Sequence, residues 1–172
     1  MPFLYYMKHY STLILLGGNM PETIDLFHHT EEKIKSSFGN IINQSSIYKS
    51  TPWGFETESD FYNKVIETET FLEPEKQISV LLEIEKLLGR KRKMTSGYKS
   101  RGIDIDIQFI DDLEIETSSL IVPHPHLHNR RFALIPLNEK WGNKIHPSLK
   151  KTVNELLQIC TDKGDVTLWI TV

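Results

Sequence analysis

The chain has 172 residues and a formal net charge of −3, which argues against a general nucleic-acid binder because such proteins carry a marked basic excess. Its single cysteine, Cys160, excludes an intrachain disulfide and favours a reducing compartment. The sequence contains neither a run of about 18 apolar residues nor the features of a signal peptide. We therefore expect a cytoplasmic protein that forms one domain over residues 1–172, with residues 1–10 as a candidate N-terminal extension.

The first half of the chain alternates strands with one helix. The apolar run 11–16 predicts a buried strand. A helix follows, with apolar residues at helical spacing and Gly39 as its stop signal. Residues 41–48 predict a second strand, and residues 60–70, which contain Tyr, Val and Ile, predict a third. These elements give the order β-α-β-β.

The second half repeats the α-β order and adds an appendage. A helix over 74–88 begins at a proline, and a strand follows over 103–107. Residues 149–160 predict a final helix, and residues 166–172 predict a last strand at the sheet edge. The order β-α-β-β-α-β is that of the ferredoxin-like fold. We predict an α+β protein with an antiparallel sheet, helices packed on it, and a C-terminal appendage of helix and strand.

An aromatic loop and a nearby amide indicate a site for a flat ligand. Pro52 and Gly54 break regular structure around Trp53, and an exposed Trp on a loop favours an apolar ring ligand or a lid. The alternative is that Trp53 closes the edge of the core. Asn63, on the following strand, can donate and accept at once, which suits the edge of a heterocycle. The alternative for Asn63 is a solvent-facing strand position.

Glu85 falls within the apolar stripe of the helix 74–88. A carboxylate there is unfavourable unless it is paired or hydrogen-bonded. Arg90, Arg92 or a polar site could provide that partner. Alternatively, Glu85 lies at the edge of the stripe and reaches water.

Two carboxylates alternate with branched apolar residues on the strand 103–107. Asp104 and Asp106 then point to one face, about 7 Å apart, where they repel each other unless a hard cation lies between them. Mg²⁺ takes such oxygen ligands, usually with substrate phosphates completing its shell. The basic residues between positions 90 and 101 can bind phosphate oxygens. Together these features predict a magnesium–polyphosphate site, whereas each alone is also common on a solvated surface.

Three histidines alternate in the segment 122–132. His124, His126 and His128 could bind zinc, but no fourth ligand is evident and two prolines constrain the backbone. We favour a phosphate contact by His124 beside Arg130.

Several segments form a family signature in combination. They are Gly17-Gly18-Asn19, Ser46 to Gly54, Asp60 to Asn63, Glu85 with Gly89 to Arg92, Arg101 to Ile107, Val122 to His124, and Asn129 to Leu137. Over Leu13 to about Leu157 the chain thereby resembles the 6-hydroxymethyl-7,8-dihydropterin pyrophosphokinases of the folate pathway.

The resemblance implies a reaction and its participants. Pyrophosphate would pass from ATP to the hydroxymethyl group of 6-hydroxymethyl-7,8-dihydropterin, giving the pterin diphosphate and AMP in tetrahydrofolate biosynthesis. The pterin hydroxyl would attack the β-phosphorus in line, a reaction that depends on positioning and charge neutralisation. ATP and the pterin are then the partners, with two Mg²⁺ ions, no nucleic acid and no membrane, and the chain is expected to be a monomer.

The resemblance also implies roles for individual residues. The implied catalytic residues are Arg90, Arg92, Arg101, Asp104 and Asp106, of which Asp104 and Asp106 would hold the metal ions. The implied ATP-binding residues are Glu85, Arg90, Arg92, Arg101, Ile107, His124 and Arg130. The implied pterin-binding residues are Ser50, Thr51, Pro52, Trp53, Phe61, Asn63, Tyr98 and Phe132.

Three departures from the family pattern concern the same site. The loop Lys93 to Lys99 is one residue longer than usual, and its usual Arg-Trp pair reads Gly97-Tyr98, which leaves a lysine in place of the arginine. Phe61 keeps an aromatic ring without a hydroxyl. Pro125 follows His124 where an aromatic residue is often found.

Three rival functions stay open at this point. A regulatory binding module of the same fold would not need paired carboxylates beside an arginine cluster. An RNA-binding module would need aromatic residues on a basic sheet face, where this strand carries Asp104 and Asp106. A kinase that releases ADP is the nearest enzymatic rival, since composition does not separate attack at the γ-phosphorus from attack at the β-phosphorus.

Overall fold

The computed structural model describes residues 8–53, 60–88 and 102–171 of the chain. The strands are β1 (Tyr10–Gly18), β2 (Asn40–Gln44), β3 (Ile47–Ser50), β4 (Phe61–Thr70), β5 (Asp104–Ile110), β6 (Ile115–Glu116), β7 (Ile121–Val122) and β8 (Val166–Ile170). The helices are α1 (Thr23–Ser37), α2 (Pro74–Leu87), α3 (Arg131–Trp141) and α4 (Val153–Ile159), with a short 3₁₀ helix over Leu127–Asn129. Within these parts of the chain, no helix has both the length and the apolar character needed to span a membrane.

A single antiparallel sheet organises the fold. Its strand order is β5-β1-β4-β3-β8, and β2 also pairs with β4. The most apolar strand, β1, lies between β5 and β4. Its run of leucines and isoleucine favours this central position, where both faces of the strand are buried. Gly17, near the end of β1, pairs with Asn63 of β4 on one side and with Asp104 of β5 on the other. This register places Asn63 and Asp104 on the same face of the sheet.

Two hydrophobic cores lie on opposite faces of the sheet. One core contains the apolar stripes of α1 and α2, including Phe27 and Leu81, packed on Ile14 and Ile66. The other core joins α3 and α4 to the opposite face. Its members include Leu13, Leu15, Val65, Phe109, Leu134, Leu137 and Leu156. We call the second face the α3 face, and the carboxylates of β5 lie on it because Asp106 pairs with Leu15.

The predicted ferredoxin-like architecture is confirmed, with an antiparallel sheet, helices packed on it and a C-terminal appendage. The appendage contributes more than an edge strand: α4 packs with α3 over the second face, while β8 extends the sheet beside β3, as predicted. The helix predicted over 149–160 begins only at Val153, because Thr152 caps it. The Thr152 side chain accepts a hydrogen bond from the Glu155 backbone, and the Glu155 carboxylate accepts one from the Thr152 backbone.

The prediction of one strand over 41–48 is wrong. The chain forms two strands there, β2 and β3, which are separated at Ser45 and Ser46. The Ser45 hydroxyl accepts from the Val65 backbone N–H at 2.9 Å, and the Ser46 backbone N–H donates to a Glu139 carboxylate oxygen at 2.9 Å. Two backbone N–H groups thus donate to side-chain oxygens instead of to the backbone of a neighbouring strand, which interrupts the strand.

Candidate functional site

Asp104 and Asp106 form a carboxylate pair on the α3 face of β5. Both side chains are partly exposed, whereas the intervening Ile105 and the following Ile107 are buried in the core of the opposite face. The alternation predicted from the sequence is therefore present, with the carboxylates on one face. Because β5 is anchored by its apolar side, the two carboxylates are held on a rigid strand.

The carboxylate pair fits a hard divalent cation in its donor chemistry. Carboxylate oxygens are what Mg²⁺ binds, and Mg²⁺ commonly takes one or two protein carboxylates together with substrate phosphates. Within the described residues, no group of three or more His, Cys, Asp or Glu side chains is arranged to hold a metal ion. The two carboxylates are thus suited to an ion that brings further oxygen ligands with it, as a metal–nucleotide complex does.

Arg130 lies between the carboxylate pair and two aromatic rings. Its Nη1 atom is 3.8 Å from Asp106 Oδ2, and its guanidinium carbon lies 5.0 Å from the Trp53 ring centre and 5.7 Å from that of Phe132. The two rings meet edge to face, with centres 6.2 Å apart. We call Trp53, Phe132 and the Arg130 guanidinium the aromatic cluster. Burial lowers the pKa of Arg130, an effect opposed by the nearby carboxylates, and the group stays a cation that can bind phosphate.

His124 is oriented by two hydrogen bonds from its own loop. Its backbone N–H donates to the Gln108 carbonyl at 3.0 Å, and its Nδ1 accepts from the His126 backbone N–H at 3.1 Å. Burial, followed by the charge of Arg130, lowers the pKa of His124 to about 4. His124 Nε2 lies 3.2 Å from Arg130 Nη1, a hydrogen-bond contact whose geometry depends on the tautomer of the ring. The imidazole and the guanidinium thus lie side by side next to Asp106, and the guanidinium can donate to an anionic oxygen there.

Asn63 is buried and its amide is fixed. Its Nδ2 atom donates to the Ser50 hydroxyl at 2.9 Å, and Ser50 is buried as well. A Cβ built on Gly17 would lie 3.3 Å from Asn63 Oδ1, so the glycine leaves room for the carboxamide to lie over β1. The alternative of a solvent-facing Asn63 is wrong, because only 2% of the residue is exposed.

The segment 50–53 leads from β3 towards the aromatic cluster. Thr51 is exposed and its backbone N–H donates to the Asp165 carbonyl at 3.0 Å. Pro52 is partly exposed, and Trp53 is 36% exposed, outside both cores. Trp53 packs edge to face on Phe132, which in turn packs against the second core. Phe61, at the start of β4, is partly buried.

Glu85 supports the carboxylate pair from behind. It is only 2% exposed, and its Oε1 accepts from the Ile105 backbone N–H at 2.8 Å. The alternative in which Glu85 reaches water is thus wrong. The contact satisfies a backbone donor on β5, which is an edge strand, and it fixes the strand at the residue between the two aspartates.

A cavity of about 280 Å³ opens beside Asp106 and His124. Its apolar wall comes from α2, β5 and the β6–β7 hairpin, and its polar wall comes from the turn of that hairpin. The lining residues include Ile78, Ile105, Ile107, Thr117, Ser118, Ser119, Leu120 and Ile121. The sequence predicts a small hairpin over 114–121, which β6 and β7 confirm. The resemblance assigns Ile107 to ATP but gives the hairpin no role in the site.

The basic segment that precedes β5 lies outside the described residues. Arg90, Arg92, Tyr98 and Arg101 belong to it, as does the loop from Lys93 to Lys99. Their assigned roles stay predictions. The structure brings Asp104, Asp106, His124, Arg130, Trp53 and Phe132 together at one corner of the α3 face, with the Ser50–Asn63 pair on the same face. Glu85 and Ile107 lie on the opposite face of β5.

Comparison with known proteins places this arrangement in a family. The family model for 7,8-dihydro-6-hydroxymethylpterin-pyrophosphokinase matches residues 13–141. The 2-amino-4-hydroxy-6-hydroxymethyldihydropteridine pyrophosphokinase of Aquifex aeolicus (strain VF5) is 38% identical over 140 residues, which cover 81% of this chain and 86% of that protein. The protein of the same description from Bacillus subtilis (strain 168) is 41% identical over 129 residues, covering 75% and 71%.

A solved structure supports the fold independently. The wild-type HPPK-DHPS of Plasmodium falciparum with pteroate superposes with a TM-score of 0.73 at 16% identity, covering 88% of this chain and 44% of that one. This likeness concerns the fold alone. The family match over residues 13–141 and the identities of 38% and 41% show that the chain belongs to the 7,8-dihydro-6-hydroxymethylpterin pyrophosphokinase family.

Proposed function

We propose that the corner of the α3 face around the carboxylate pair and the aromatic cluster is where this enzyme works. Its family transfers the pyrophosphoryl group of ATP to 6-hydroxymethyl-7,8-dihydropterin in folate biosynthesis. The observation that carries the proposal is the register at Gly17. It sets Asn63 and Asp104 on the same face, two strand spacings or about 10 Å apart, with one glycine between them. At that separation, one substrate can bind at Asn63 and the other at Asp104 with their reacting groups in contact.

ATP is assigned to the β5 side. The adenosine enters the cavity between α2, β5 and the β6–β7 hairpin, where Ile78, Ile107 and Ile121 supply apolar contacts. The phosphates then extend past His124 and Arg130, whose guanidinium can donate hydrogen bonds to an anionic oxygen. Arg90, Arg92 and Arg101 are assigned to the phosphates as well, since they precede β5 in the sequence.

Asp104 and Asp106 are assigned to magnesium. The family uses ATP with Mg²⁺, and we propose two ions at this position. The metal, when bound, neutralises phosphate charge and orients the oxygens for in-line transfer. The chain's own contribution is to hold both carboxylates on one face of β5 and to keep that strand fixed through the buried Glu85 contact.

The pterin is assigned to the aromatic cluster. Its ring stacks on Trp53 and Phe132, and its polar edge bonds to Asn63, with Ser50 orienting the amide. Thr51, Pro52, Phe61 and Tyr98 are assigned to the remaining walls. The pterin hydroxyl then attacks the β-phosphorus and gives up its proton to solvent, the bond between that phosphorus and the α–β bridging oxygen breaks, and AMP leaves. This chain forms no covalent bond and acts by positioning and by excluding water.

Three further assignments complete the proposal. Residues 1–172 act as one pyrophosphokinase domain with residues 1–10 as an extension, the enzyme is a monomer, and it works in the cytoplasm. The single cysteine supports the last assignment.

A product assay tests the proposed reaction. The protein is incubated with ATP, Mg²⁺ and 6-hydroxymethyl-7,8-dihydropterin, and the nucleotides are separated by chromatography. We expect AMP in amounts equal to the pterin diphosphate, and no AMP when the pterin is omitted. Pterin-dependent ADP would contradict the proposal, because it would mean attack on the γ-phosphorus.

A further inference from the structure

The segment 160–165, between α4 and β8, is hydrogen-bonded both to the N-terminus of α3 and to the loop that carries Trp53. It lies beyond residues 13–141, the part of the chain that the family model matches. Asp162 in this segment accepts two backbone hydrogen bonds. Its Oδ2 accepts from the Arg131 N–H at 2.9 Å, and its Oδ1 accepts from the Gly164 N–H at 2.8 Å.

The same segment holds the start of the Trp53 loop. The Asp165 carbonyl accepts from the Thr51 N–H at 3.0 Å, and Val166 of β8 pairs with Ser50. A Cβ built on Gly164 would lie 3.1 Å from Thr51 Oγ1, so the glycine allows the segment to approach the loop closely. Only Pro52 separates Thr51 from Trp53, and the loop therefore leaves the sheet from a fixed point.

On the other side, Arg131 begins α3 and is flanked by two members of the aromatic cluster. Arg130 precedes it and Phe132 follows it, and both side chains contact Trp53. The Arg131 N–H is one of the backbone donors at a helix N-terminus that lack an intrahelical partner. A carboxylate satisfies this donor and is also favoured by the helix dipole.

The chemistry of the contact requires both oxygens of the carboxylate. Two backbone N–H groups, from Arg131 and Gly164, each need an acceptor, and an aspartate provides one oxygen to each. An asparagine has one acceptor oxygen, so in either orientation its NH₂ group would face one of the two donors. The contact therefore links α3 to the segment that supports Thr51, and it does so in one geometry.

We propose that Asp162 is a positioning residue for the pterin site. It ties the N-terminus of α3 to the base of the Trp53 loop, and in this way it sets the separation between Phe132 and Trp53. This proposal rests on the proposed assignment of the pterin to the aromatic cluster. It gives the C-terminal segment a function in substrate binding that the folding of α4 and β8 alone does not require.

The test measures the affinities of the two substrates separately. Calorimetry on the full-length protein gives the Kd of 6-hydroxymethyl-7,8-dihydropterin in the presence of α,β-methylene-ATP and Mg²⁺, and the Kd of α,β-methylene-ATP with Mg²⁺. For Asp162→Asn we expect the pterin Kd to rise about tenfold, the size of one lost hydrogen bond to a charged group, with the nucleotide Kd changed less than about twofold. Gly164→Ala keeps the Asp162 side chain but adds a methyl group 3.1 Å from both Thr51 Oγ1 and Asp162 Oδ1, and it should also raise the pterin Kd.

Glu155→Gln is the matched control. Glu155 also accepts from a backbone N–H at a helix N-terminus, that of Thr152 at 2.7 Å, but this bond belongs to the capping box of α4. This variant removes a negative charge at a helix N-terminus, as Asp162→Asn does, and it should keep the pterin Kd of the unaltered protein.

The outcomes separate this proposal from the proposed reaction. If Asp162→Asn and Gly164→Ala lose stability but keep their pterin affinity, or if both substrates weaken equally, the positioning role is refuted. If the unaltered protein binds the pterin but releases no AMP from ATP, the proposed reaction is refuted. The pterin affinities of the Asp162→Asn variant and the unaltered protein then still test the positioning role. If the unaltered protein binds no pterin, both proposals are overturned.

Discussion

The carboxylate pair and the aromatic cluster share one face of the sheet, yet they are built by opposite means. Asp104 and Asp106 are partly exposed side chains on a regular strand whose other face is buried in a core. Trp53 and Phe132 come from a loop and from the start of a helix, and each depends on more distant contacts for its position. The difference follows from what each region binds. A metal–phosphate group needs rigid oxygen ligands within reach of water, whereas a flat ring needs dry surfaces at a set separation.

The comparison predicts that changes on the two sides have separable effects. A change to the carboxylate pair should lower turnover and leave the pterin affinity intact. A change to the aromatic cluster should weaken the pterin and spare the nucleotide. Any variant that breaks this separation would show that the two regions are less independent than their construction suggests.

The largest effect is expected at Asp106. Asp106→Asn keeps the shape of the side chain but removes its charge, and we expect turnover to fall by about 10³-fold in steady-state assays, because charge stabilisation of the transferred group is lost. The pterin Kd should not change. Asp112→Asn is the control, since this aspartate follows β5 and its side chain is 84% exposed. A fully active, magnesium-dependent Asp106→Asn enzyme would refute the metal role.

The second effect is expected at Trp53. Trp53→Ala removes one stacking surface, and the pterin Kd should rise about 30-fold, the scale of one aromatic–heterocycle contact, with an unaltered nucleotide Kd. Calorimetry measures both. Trp169→Ala is the matched control, because Trp169 is an exposed tryptophan of β8 that packs on Tyr62 instead. Equal losses of pterin affinity in both variants would remove Trp53 from the proposed site.

A third variant probes the boundary between the two regions. Gly17→Val places methyl groups where even a Cβ would be 3.3 Å from Asn63 Oδ1, and it should displace the carboxamide. We expect the pterin Kd to rise about tenfold, with a smaller loss of turnover from the Asp104 side. Binding and turnover are measured on the same preparation. A valine that leaves both unchanged would mean that the Asn63 amide does not touch the pterin.

The smallest effect concerns pH. The pKa of His124 is lowered to about 4, so the unfolded chain binds more protons than the folded chain between that value and its ordinary value of 6.5. The stabilisation is therefore complete above pH 6.5 and is lost as the pH falls towards 4. We expect on the order of 1 kcal/mol, below the roughly 3 kcal/mol of a full shift, because the ring is only partly buried.

Urea unfolding between pH 4 and 7 measures this contribution. His124→Gln should flatten the dependence of the unfolding free energy on pH. His126→Gln, at an exposed position of the same loop, serves as the control variant. An unchanged slope in His124→Gln would contradict the burial of a neutral ring. Because the His124 ring of the folded enzyme is neutral above pH 6.5, its titration should not change the turnover of the unaltered enzyme in that range.

The sequence predicted best those features that local pattern determines. The alternation of apolar and acidic residues predicted that Asp104 and Asp106 share one face of β5. The order in which strand-like and helix-like apolar patterns follow each other predicted the ferredoxin-like arrangement. It failed where distant groups replace local partners. The break between β2 and β3 depends on Glu139, which lies 93 residues after Ser46. The contact of Asp162 with Arg131 joins positions 31 residues apart and has no local signature.

The most direct measurement is the structure of a ternary complex. Crystals of the protein with Mg²⁺, α,β-methylene-ATP and 6-hydroxymethyl-7,8-dihydropterin would hold both substrates before transfer, since the methylene group replaces the oxygen that must leave. We predict metal-bound phosphates at Asp104 and Asp106, and the pterin ring on Trp53 and Phe132 with its edge on Asn63. A pterin bound beside the carboxylates, or an adenine ring stacked on Trp53, would contradict the division of this face into two substrate regions.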